Sequence, residues 1–119
     1  SKEDNFAKSL LVTGFPYDAS RNKHKPAEVF NRIVYADIPV RRLGSAALDL
    51  CWTAMGRFEG FWEYNLNAWD VAAGCIILTE AGGTLSDFDG KPLSIYNKEI
   101  LATNGLIHEE LRKIIKDEK

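Results

Sequence analysis

At 119 residues the chain is long enough to bury a core but short for two domains, so residues 1–119 are read as a single domain. It is 45% hydrophobic and 27% charged, and its 15 basic and 17 acidic side chains leave a formal net charge of −2. That balance excludes a basic face for nucleic acid or an anionic membrane, and no apolar run nears the ~18 residues of a membrane span. Cys51 and Cys75 both fall in apolar helical patterns with no histidine nearby, which points to free thiols in a reducing compartment and not to zinc ligands. No segment has the layout of a signal peptide, so the expected location is the cytoplasm.

Residues 1–8 are polar and lead into the apolar run Ser9–Thr13, which Gly14 and Pro16 stop; this reads as a buried strand. Asp18 to Pro26 is a polar loop rich in basic side chains, with the lone His24 among them. A solvated loop is its commoner reading and anion steering the rarer one. Pro26 suits the first position of a helix reaching about Ala36, with Val29, Phe30, Ile33 and Val34 on its buried face. Ile38-Pro39-Val40 then leads through Arg41-Arg42-Leu43 to the turn Gly44-Ser45-Ala46-Ala47. That turn opens a helix capped by Ser45 or Gly44, and its free N–H groups can receive a hydroxyl or an anion.

The helix Ala46–Met55 is apolar on almost every side and is expected between layers, with Gly56 as its left-handed cap. Phe58–Tyr64 is aromatic-rich and strand-like, and Glu63 near its end sits where α/β sheets place binding groups. A further apolar helix spans Ala68–Ala81 and stops at Gly82-Gly83. Thr84–Phe88 alternates, Asp89-Gly90 is a hairpin turn, and Leu93-Ser94-Ile95 is the expected return strand. Glu99–Thr103 is a buried strand, and Leu106–Lys116 an amphipathic helix covering one face of the sheet. Strands alternating with helices imply α/β: a layered sandwich of a mixed, mostly parallel sheet flanked by helices.

Chemistry concentrates between Glu63 and Gly74. With Asn67 as N-cap, Asp70 falls in the first helical turn, where the helix dipole stabilises an acid by about 0.3–1 kcal/mol. Asn67 and Asp70 have the spacing of a capping box, and on spacing alone the cap is the commoner reading. The rarer one makes Asp70 a cation ligand at the mouth of a cleft.

Trp69-Asp70-Val71-Ala72-Ala73-Gly74, followed by Thr79-Glu80-Ala81-Gly82-Gly83, resembles the second signature of the inositol monophosphatase family. Gly44-Ser45-Ala46-Ala47 and Glu63 precede it in the family's order and spacing, and the likeness runs from about Leu10 to Leu111. The resemblance implies a magnesium-dependent, lithium-sensitive phosphatase, commonly dimeric. Gly44, Ser45 and Ala46 would touch sugar or inositol hydroxyls, Glu63 would contact another ring hydroxyl, and Asp70 would bind a second Mg2+ beside the leaving oxygen. Such chemistry runs mainly on positioning and charge neutralisation, and magnesium takes oxygen ligands, with only one or two protein carboxylates.

The family's other signature, Asp-Pro-x-Asp-Gly-Thr, is missing, as is the upstream glutamate pair that holds the first metal. Asp89-Gly90 is the sole Asp-Gly of the chain and reads as a turn. The resemblance therefore implies the C-terminal half of the sugar-phosphatase fold: a fragment or one chain of a split enzyme, inactive alone. Its partners would be the N-terminal half of the enzyme and a phosphorylated substrate. Arg41–Leu50 is closest to bacterial and archaeal monophosphatases, which favours inositol monophosphate or a sugar phosphate. Related enzymes hydrolyse fructose 1,6-bisphosphate or 3′-phosphoadenosine nucleotides. The competing reading is a non-catalytic binding or assembly module.

Overall fold

The computed structural model describes residues 1–14, 25–64, 68–93 and 99–118, and for residues 68–70 the backbone alone. Nine elements follow a short 3-10 turn: β1 (Leu11–Thr13), α1 (Pro26–Tyr35), β2 (Val40–Arg41), α2 (Ala46–Ala54), β3 (Gly60–Tyr64), α3 (Ala68–Glu80), β4 (Thr84–Ser86), β5 (Glu99–Thr103) and α4 (His108–Lys116). The sheet order is β2-β1-β3-β5-β4. β1 pairs in parallel with β2 and β3, whereas β5 runs antiparallel to both β3 and β4. The sheet is thus mixed, its parallel half confined to β2-β1-β3.

Strand alternation sorts the core onto two faces. Leu11, Trp62, Tyr64 and Leu101 point to one side, where Val29 and Ile33 of α1 and Leu111 and Ile115 of α4 cover them. Val12, Phe61, Ile100 and Ala102 point to the other, under Leu50 of α2 and Val71 and Leu78 of α3. Trp62 and Phe61 are each fully buried. Burial of such a side chain contributes about 1.5–3 kcal/mol. The Trp62 indole donates to the Tyr64 hydroxyl at 3.2 Å, which satisfies its N–H inside the core.

Side-chain clamps fix the helices. Arg32 of α1 donates from Nε and Nη2 to the carbonyls of Ile114 and Ile115, at 2.9 and 2.8 Å, and so closes the last turn of α4. His108 at the start of α4 lies between the hydroxyls of Ser86 and Thr103, at 2.7 and 2.9 Å, tying that helix to β4 and β5. Burial there pushes the imidazole pKa down.

One expectation needs correction. The helix from Ala46 was expected to be enclosed between layers, and α3 was read only as apolar. Instead Met55 and Ile76 are 66% and 65% exposed, and Leu48 and Ile77 are exposed beside them. Only one flank of each helix meets the sheet, through Leu50, Val71 and Leu78, and among the described residues no further layer covers the outer flank. The return strand expected at Leu93-Ser94-Ile95 lies partly outside the described residues. Among the described residues β4 pairs with β5, Ser86 opposite Leu101.

Candidate active site at the carboxyl edge of the parallel strands

β2, β1 and β3 run the same way, so their carboxyl ends share one edge of the sheet. From β1 the chain passes to α1 on one face; from β2 and β3 it passes to α2 and α3 on the other. β1 is therefore a topological switch point, the position at which open α/β sheets form crevices at their carboxyl ends. Open α/β sheets bind ligands in such crevices. Three of the sequence's candidate positions converge on this edge through topology alone.

Glu63 is the penultimate residue of β3, partly buried, opposite Ile100 on the face covered by α2 and α3. Its carboxylate lies against the backbone of Gly14, the residue that follows β1. At the end of β2 the chain turns through Gly44, whose φ of 89° favours glycine, into α2. Ser45 is the N-cap, and its Oγ accepts the Leu48 amide at 3.3 Å. Leu48 and Asp49 have their amides bonded to Ser45, so the first-turn N–H groups of Ala46 and Ala47 remain for a ligand. Asp70 is the third residue of α3, which starts from the carboxyl end of β3. Its side chain and the Asn67 of the capping box lie outside the described residues.

Asp49 escaped the sequence reading. It is the single charged side chain of α2, only 1% exposed, and its Oδ1 finds no hydrogen-bond donor among the described residues. Burial pushes its carboxyl pKa up to about 6. An aspartate inside an otherwise apolar helical run was the signal available in the sequence.

A second acidic group joins Asp87, Asp89 and Glu99, whose oxygens lie within 4.8 Å of one another. Asp87 Oδ1 accepts the amides of Asp89 and Lys91, both at 2.9 Å, and Glu99 Oε1 accepts the Phe88 amide at 3.2 Å. Lys116 lies 3.1 Å from Asp89 and holds its carboxyl below the usual range. These carboxylates close the Asp-Gly turn read from the sequence, because backbone amides and a lysine already occupy their oxygens.

Among the described side chains at the carboxyl edge, the potential donors are the Glu63 carboxylate and the Ser45 hydroxyl, and the backbone brings position 70 to the same edge. Cys51 and Cys75 lie within α2 and α3 as free thiols. Oxygen donors of this kind suit a hard cation.

The family model for the inositol monophosphatase family matches residues 1–119. The chain belongs to that family. It is 47% identical over 108 residues to an inositol-1-monophosphatase of Synechocystis, covering 91% of this chain and 38% of that protein. To the chloroplastic phosphatase IMPL1 of Arabidopsis thaliana it is 40% identical over 111 residues, covering 93% of this chain and 30% of the relative. A solved inositol monophosphatase from Anabaena superposes with a TM-score of 0.92 at 43% identity, over all of this chain and 47% of that one. This inositol monophosphatase family chain thus spans less than half the length of each of these relatives.

Proposed function

We propose that the chain supplies the leaving-group side of a magnesium-dependent phosphate monoesterase acting on inositol monophosphate or a related sugar phosphate. The observation that carries this reading is the convergence of Glu63, the Ser45-capped start of α2 and the Asp70-bearing start of α3 at one switch-point edge. Glu63 accepts a hydrogen bond from a substrate hydroxyl and so orients the alcohol. The Ser45 hydroxyl and the amides of Ala46 and Ala47 hold a second hydroxyl, with Gly44 letting the chain turn there. Asp70 is the magnesium ligand, and the bound ion would neutralise charge on the departing alkoxide. In the reaction water adds to phosphorus, the ester P–O bond breaks, and the alcohol leaves with a proton from solvent.

The chain alone should not turn over, since the residues that activate water in the family signature are absent from its sequence. A homodimer, lithium inhibition and a cytoplasmic location accompany the same proposal. The test is reassembly with a separately made segment carrying the Asp-Pro-x-Asp-Gly-Thr signature, followed by Asp70→Asn. Magnesium-dependent release of phosphate should appear on mixing and vanish in the variant, with stability changed by less than about 0.5 kcal/mol. Asparagine caps helices as well as aspartate does, so a fully active Asp70→Asn enzyme would return Asp70 to a purely structural role. A second reading, a non-catalytic assembly module, is favoured by the uncovered apolar flank of α2 and α3. Stable complex formation without turnover selects it.

A further inference from the structure

Gly14 stands out because nothing in its backbone asks for a glycine. Its φ lies outside the left-handed region, unlike those of Gly44, Gly56, Gly82, Gly90 and Gly105. What distinguishes it is the space where a Cβ would stand. The three nearest atoms to that point all belong to the Glu63 carboxylate: Oε1 in outright overlap, Cδ at 2.9 Å and Oε2 at 3.5 Å. The register sets Thr13 beside Trp62, so the next pair across the ladder brings Gly14 alongside Glu63 at the mouth of the β1–β3 crevice. A carboxylate thus fills the volume that any other residue's side chain would claim.

We propose that Gly14 is a positioning residue for substrate recognition: its missing side chain forms the seat that fixes the Glu63 carboxylate at the sheet edge, and hence the place where a polyol hydroxyl is bound. The inference rests on the reading of Glu63 given under the proposed function. A methyl group at position 14 displaces the far end of one flexible side chain and leaves the backbone where it is. Its effect falls on the hydroxyl contact. Substrates without a hydroxyl beside the phosphate do not use that contact, so position 14 sets preference for polyol phosphates over simple esters.

The experiment takes the assembled enzyme and compares kcat/KM for inositol monophosphate with that for para-nitrophenyl phosphate in wild type, Gly14→Ala, Glu63→Ala and the double variant. Loss of one hydrogen bond to a charged group predicts a fall of roughly ten- to a hundredfold for inositol monophosphate in each single variant. That fall should sit mainly in KM, with para-nitrophenyl phosphate nearly unaffected. The double variant should be no worse than Glu63→Ala, because Gly14 acts only through that carboxylate. The seat is overturned if Glu63→Ala lowers the preference and Gly14→Ala does not, if the two losses add, or if Gly14→Ala fails to fold. If Glu63→Ala leaves the preference intact, or the assembled enzyme releases no phosphate, the underlying reading of the site falls, and the seat with it.

Discussion

Asp49 is a residue whose cost and pH dependence can be separated. Its carboxyl is buried in α2 with Oδ1 unbonded, and its pKa of about 6 stands well above the ordinary 3.8. The folded chain therefore holds the proton more tightly than the unfolded one, so stability is fullest at low pH and falls as pH rises through 6. Asp49→Asn removes that charge. It should stabilise the chain by about 1–3 kcal/mol at pH 7, with the gain shrinking to nothing below pH 4, as read by urea unfolding across pH. A gain that is flat with pH would mean that some other effect of the substitution dominates. Glu63 differs: it is partly buried at the sheet edge, with its carboxylate against Gly14.

Among the elements, the α2–α3 pair shows how packing overrides propensity. Glycine inside a helix ordinarily costs about 0.5–1 kcal/mol against alanine. At Gly74 the balance reverses, since an added Cβ would lie 2.8 Å from the Leu50 Cβ and 2.9 Å from its Cδ1. Gly74→Ala should destabilise the chain by about 1–3 kcal/mol through overpacking, measured as a lower urea midpoint at unchanged slope. A higher midpoint would show that the helices separate freely. Close approach of α2 and α3 also matters to the candidate site, because the two helices follow the carboxyl ends of the parallel strands β2 and β3.

On the scale of the molecule, the two faces of the sheet are unequal. Amphipathic α1 and α4 turn Glu28, Glu110 and Lys113 outward on one face, where Val34 and Tyr35 of α1 are exposed as well. On the other face Leu48, Met55, Ile76 and Ile77 stay exposed, an apolar flank of the kind that marks an interaction surface. The chain covers 47% of the solved Anabaena inositol monophosphatase, so more than half of that protein lies outside the matched region. Met55→Lys with Ile76→Lys should block reassembly with the completing segment. The fold of the chain itself should change by no more than about 0.5 kcal/mol in thermal unfolding. Reassembly that survives both lysines would place the contact elsewhere.

Much of this could be read from residue order, because local physics decides it. The Ser45 cap, the Pro26 helix start, the buried runs Leu11–Thr13 and Glu99–Thr103 and the Trp69-Asp70 signature depend on neighbours a few positions apart. What the tertiary structure alone decided involves residues far apart in the chain. The strand order sets β1 between β2 and β3 and makes their ends a crevice; Gly14, read as a strand stop, meets Glu63 across it. Sequence periodicity tells how apolar a helix is but not how many of its sides are covered. So α2 looked buried all round and α3 simply apolar, while the fold covers one flank of each and leaves the other exposed.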